Sequence, residues 1–115
     1  MKAAAGNLQL AYGELECCES GMKLQELDVQ QHGFPFKSSR FTIDPGGSSP
    51  LDQHSVAEMW IVIEGTGELV YNGMAYDVKA GDAVYLEPFQ THLIHNHSQH
   101  VLKMLSFWWA KQCST

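Results

Sequence analysis

Asn72-Gly73, set between Glu68-Leu69-Val70-Tyr71 and Met74-Ala75-Tyr76-Asp77-Val78, restricts the fold more than any other feature of the chain. A two-residue Asn-Gly link suits a type I′ turn, where both central positions need positive φ, and it ties the flanking runs into an antiparallel hairpin. Elsewhere Gly, Pro, Asn and Asp break the chain about every ten residues, the runs between them are short, and no long helical stripe intervenes. The pattern predicts an all-β protein. Glu58–Glu64 has apolar residues on both parities, which predicts a strand covered on both faces. Further strands are expected at Ala83–Leu86, Thr91–His95 and Val101–Trp109, with weaker ones at Glu26–Gln30 and Arg40–Ile43 flanking the loop His32-Gly33-Phe34-Pro35-Phe36. So many short antiparallel strands imply a closed barrel or a two-sheet jelly roll, which covers the strand edges.

At 115 residues the chain has the length of one domain: residues 26–115 are expected to form the barrel and residues 1–25 an N-terminal arm with an edge strand. The composition, 44% hydrophobic, supports a buried core, and no run approaches the roughly 20 apolar residues of a membrane helix. No apolar segment of signal-peptide type follows Lys2, so a cytoplasmic location is expected. Cys17 and Cys18 are adjacent and Cys113 lies in the tail, a spacing that predicts free thiols. A net charge of -6 with dispersed Lys and Arg disfavours nucleic acid and anionic membranes as partners.

The chemistry concentrates in Asp52, His54 and Glu58, joined from a second strand by His92. On an extended segment the first three share parity and face one side, and His92 supplies a ligand from elsewhere in the fold. Two imidazoles and two carboxylates are donors for a borderline or hard divalent cation such as Zn, Fe(II), Mn or Ni, and mixed ligation favours an accessible site over a closed structural one. Asp52 is expected to ligate, or else to orient an imidazole. His95, His97 and His100 fall at and beyond a strand end and are expected to be solvated.

These residues resemble the cupin superfamily. The chain reads Gly46-x5-Asp52-x-His54-x3-Glu58-x6-Gly65 and Gly81-x5-Glu87-x-Phe89-x2-His92-x3-Asn96, in register with the family motifs G-x5-H-x-H-x3-E-x6-G and G-x5-P-x-G-x2-H-x3-N. The departures are Asp52 for the first histidine, Glu87 for proline and Phe89 for glycine. The resemblance implies a double-stranded β-helix, the jelly-roll barrel, with His54, Glu58 and His92 as metal ligands. Gly65, Gly81 and Asn96 are read as turn formers.

Parity nominates Trp60, Met104, Ser106 and Trp108 as substrate-binding residues, and Arg40, Tyr85 and Gln90, with Thr42, as polar groups reaching the same cavity. Arg40 is expected to hold a substrate carboxylate. Ile61 and Ile63 on the outward parity, with Phe107 and Trp109, predict a homodimer. The expected function is a metal-dependent enzyme acting on a small molecule, with Asp52 or Glu58 loosening to act as a base. A redox-neutral isomerisation, cyclisation, elimination or rearrangement is favoured because a second carboxylate makes the site less selective for iron. An Fe(II)-dependent dioxygenase and a non-catalytic ligand-binding module are the alternatives.

Overall fold

The structure, a computed structural model, describes residues 2 and 5–111. It holds nine strands: β1 (Glu16–Cys17), β2 (Met22–Glu26), β3 (Lys37–Ile43), β4 (Ala57–Glu64), β5 (Thr66–Tyr71), β6 (Met74–Lys79), β7 (Ala83–Leu86), β8 (His92–His95) and β9 (Leu102–Trp109). They form two antiparallel sheets, one of six strands in the order β1-β2-β3-β9-β4-β7 and one of three in the order β6-β5-β8. The arrangement is the expected all-β jelly roll. No described helix is long and apolar enough to cross a membrane.

Alternation along each strand builds the core. Phe41 and Ile43 from β3, Trp60 and Val62 from β4, and Met104 from β9 turn inward from the large sheet and meet Leu69, Val78 and Ile94 of the small one. The side chains between them on the large sheet, such as Arg40, Lys103 and Ile63, face outward. The β5–β6 hairpin turns at Asn72 and Gly73, with φ of 50° and 82°, as the Asn-Gly link predicts. Gly67 lets the sheets approach: a Cβ there would stand 2.9 Å from Leu102 Cδ2 of the opposite sheet, and equally close to Ile94 Cδ1 of the neighbouring strand.

Two expectations are corrected. The strand read at Glu26–Gln30 lies earlier, at Met22–Glu26, and Gln30–His32 is a short 3-10 turn. Met22 and Leu24 supply the inward parity that fixes β2 against β3, with Met22 opposite Ile43 and Leu24 opposite Phe41, whereas Leu27 and Val29 follow the strand. Residues 22–25 are therefore an integral part of the large sheet, and β1 is its short edge. Asn96 is more than a turn former: fully buried, it donates through Nδ2 to the carbonyls of Ile43 and His100 at 2.9 and 2.7 Å and accepts from Ser98, locking β8 and β9 to the end of β3.

Candidate metal centre

Backbone pairing brings the two motif segments together. Asp52 and His92 form an isolated antiparallel bridge in which each N–H donates to the other's carbonyl at 3.0 Å. The loop before His92 is tied to the first segment by two further bonds, Phe89 N–H to the His54 carbonyl and Gln53 Nε2 to the Phe89 carbonyl, both 2.7 Å. Phe89 keeps a left-handed backbone, φ 67°, at the position where the family motif has glycine.

Both imidazoles are oriented in the same way. His54 donates through Nδ1 to the Val56 carbonyl at 3.0 Å and His92 through Nδ1 to the Gln90 carbonyl at 3.3 Å, so each turns Nε2 towards Glu58 Oε1, at 2.9 and 3.4 Å. The other carboxylate oxygen, Oε2, accepts from Trp60 Nε1 at 2.8 Å and from the Ser106 hydroxyl. Burial by itself raises the Glu58 pKa, but hydrogen bonds from His92, Ser106, Trp60 and His54 outweigh it and bring the group down to about 2. Burial likewise pulls His92 down, and the adjacent Glu58 more than compensates, so its pKa is raised.

Two Nε2 atoms facing one anionic oxygen require protons or a cation among them, and the donor set suits a divalent metal. The ligand atoms of Asp52, His54 and His92 lie within 4.8 Å of one another. Asp52 differs from the rest. Its side chain is 61% exposed, Oδ1 accepts from the Gln53 N–H at 2.8 Å, and Oδ2 stands 3.9 Å from His54 Nε2. Glu58, with both oxygens engaged, is poorly placed to swing away as a base; Asp52 has the freedom to do so.

The centre opens into a cavity of about 500 Å³ lined by Met22, Leu24, Phe41, Trp60 and Trp108 together with Asp52, His54, Glu58 and His92. Trp60 stands edge-on to His92, with ring centroids 5.3 Å apart and planes at 90°. Ser106 and Trp108 line the cavity as parity predicts, whereas Met104, on the same face of β9, is buried in the core beside it. The sequence expectations did not include Met22 and Leu24, whose two-residue alternation is too short a signal, or Ser39, which lies directly opposite Ser106.

Four expected residues lie elsewhere. Arg40 is on the outward parity of β3, where it bonds the Gln25 side chain at 3.1 Å and covers the Tyr12 ring at 3.6 Å; neighbouring Thr42 shares that outer side. Tyr85 is outward on β7, stacked on Trp109 at 6.3 Å, because Val84 and Leu86 take the inward positions. Gln90 contributes its carbonyl to His92, and its side chain does not line the cavity. His97 is exposed, 3.4 Å from Glu68 and stacked on His95. Cys17 and Cys18 are free thiols, and Cys113 lies outside the described residues.

Comparison with known proteins places these features. The family model described as a cupin domain matches residues 39–108. A putative mannose-1-phosphate guanylyltransferase of Vibrio cholerae is 27% identical over 79 residues, which are 68% of this chain but 17% of that protein. A cupin 2 conserved barrel domain protein from Salinispora arenicola superposes with a TM-score of 0.73 at 27% identity, over 95% of this chain and 87% of its own. The polyketide cyclase RemF from Streptomyces resistomycificus shares the fold, with a TM-score of 0.73 at 19% identity, over 96% of this chain and 81% of its own.

Proposed function

This chain belongs to the cupin domain family, and from that premise we propose that it is a metal-dependent enzyme carrying out a redox-neutral reaction on a small molecule. The supporting observation is the convergence of His54 Nε2 and His92 Nε2 on Glu58 Oε1, each imidazole held from behind by a backbone carbonyl. Such anchoring sets ring tautomer and direction, as it does around bound metals. His54, Glu58 and His92 would hold the ion, with Asp52 as a fourth ligand that can withdraw. A bound Zn, Mn or Ni ion would supply Lewis acidity towards a carbonyl or hydroxyl oxygen of the ligand.

The protein's own residues do the rest. Trp60 and Ser106 fix Glu58, and the apolar walls exclude water from the buried side of the cavity. Asp52, exposed at the mouth, takes a proton from the ligand and returns it at a second atom, as isomerisation or elimination requires, and no oxidant is consumed. The second carboxylate favours this reading over oxygen activation, because it offsets more of the ion's charge. The likeness to a polyketide cyclase is of fold, and the name of that protein is compatible with a redox-neutral cyclisation here.

The test is elemental analysis of protein purified without added metal. About one equivalent of Zn, Mn or Ni is expected in the native chain, with loss of about 10-fold or more in metal affinity for His92→Ala and a smaller loss for Asp52→Ala. No stoichiometric metal would remove the proposal, and iron accompanied by oxygen uptake would replace it with an oxidative one.

A further inference from the structure

We propose that the cavity takes an uncharged, largely apolar ligand with an aromatic or similarly planar body, an oxygen donor directed at the His54–His92 end, and a second polar group that meets Ser39. The inference rests on the reading of the metal centre above and adds to it the chemical class of the ligand.

Charge supplies the first argument. Among the described residues lining the cavity there are three carboxylates, Glu16, Asp52 and Glu58, and neither lysine nor arginine. The arginine on the nearest strand, Arg40, is committed to Tyr12 and Gln25 on the opposite face of the sheet. With no side-chain cation in the cavity, a bound ion already offset by Asp52 and Glu58 would be the one partner for a carboxylate or phosphate, and a ligand charge left unpaired elsewhere in the cavity would be costly. The guanidinium or ammonium groups on which small acids and sugar phosphates are usually caught are absent from these walls.

The walls supply the second argument. Phe41 and Trp108 present aromatic surface, and Met22 and Leu24 close the side contributed by β2. Phe41 is held edge-on by Trp60, with centroids 5.5 Å apart at 65°, so its orientation is fixed before a ligand arrives. Preset aromatic walls of this kind suit a flat apolar body.

The third argument is a hydroxyl on the cavity wall that no protein group among the described residues engages. Three serines line the cavity. Ser49 accepts from the Ile94 N–H at 2.9 Å, and Ser106 donates to Glu58. Ser39, opposite Ser106 in the β3–β9 pairing and 2% exposed, has no side-chain hydrogen bond among the described residues. Its hydroxyl lines the cavity, where a polar group of the ligand can pair with it. Ser39 is thereby assigned as a specificity residue, on the large sheet opposite the carboxylate clamp.

Two probes of similar chelating reach separate this class from its rival: 2,5-dihydroxyacetophenone, neutral at pH 7, and oxalate, a dianion. Their binding to protein of measured metal content is followed under nitrogen by calorimetry and by tryptophan fluorescence, to which Trp60 and Trp108 on the cavity wall contribute with Trp109. The neutral probe is expected to bind at least about tenfold tighter, and Ser39→Ala to weaken it by about two- to tenfold while oxalate is unaffected. Ser39→Cys, which keeps a polarisable group of similar size and loses the strong hydrogen bond, gives the same comparison if the alanine variant melts early.

Oxalate binding as tightly as the neutral probe, or equal affinity of native and Ser39 variants for that probe, would overturn the inference. Metal content is read first, so the two readings fail separately. A metal-free native protein that still prefers the neutral probe refutes the metal centre and leaves the ligand class standing. A metal-loaded protein that prefers oxalate does the reverse.

Discussion

Glu58 divides its work between its two oxygens: Oε2 receives Trp60 and Ser106, and Oε1 faces both imidazoles. Removing one of the donors should therefore be felt at the other oxygen. Ser106→Ala is expected to weaken metal binding about 10-fold, measured by competition with a chelator, because the carboxylate gains freedom to rotate away from His54 and His92. Unchanged affinity would mean that Trp60 alone holds the group. Phe89 offers a test of opposite sign. Its φ of 67° is unfavourable for any residue with a Cβ, and at 63% exposure its ring buries little. Phe89→Gly is expected to raise stability by up to about 1 kcal/mol in denaturant titration, the relief of the left-handed conformation exceeding the added freedom of glycine in the unfolded chain. A loss of stability would show that the ring makes contacts worth more than the strain.

Among the elements, β4 carries the most. It lies between β9 and β7, carries Glu58 and Trp60 inward, and shifts register between Val62 and Glu64, beyond which the pairing with β9 resumes at Lys103. β5 packs against Ile94 of the neighbouring strand and Leu102 of the opposite sheet only because residue 67 has no side chain. Gly67→Ala, with φ in the ordinary range, is expected to cost about 1–3 kcal/mol by overpacking, read as a lower thermal midpoint. A neutral result would mean that Ile94 and Leu102 can repack. The strands from β4 to β9 follow period-two patterns and turn chemistry and were legible to within about two residues, as local rules allow. β2 was not: its inward residues, Met22 and Leu24, are too few to stand out until Phe41 and Ile43 pair with them.

At the scale of the molecule, the outer face of the large sheet presents Met59 and Ile61, half-buried, and Ile63, which is 50% exposed. Phe107 and Trp109, expected to share in a dimer contact, already pack against Phe36 and Tyr85 of their own chain. A homodimer through the remaining apolar row is our proposal, and light scattering is expected to give twice the 12.8 kDa protomer mass, with Ile63→Lys shifting the protein towards monomer. A protomer mass for the native chain would remove it. What the sequence by itself determined is local: the hairpin at Asn72-Gly73, the alternation within strands, and the spacing of Asp52, His54, Glu58 and His92. Turn conformation and strand parity depend on neighbouring residues, so their signal survives in one dimension. Only the tertiary structure decided that Arg40 and Tyr85 face away from the site, that Ser106 clamps Glu58 across 48 positions, and that β2 walls the cavity. Each of these depends on which face of a strand meets the opposite sheet and on pairing between distant segments, and no local pattern encodes either.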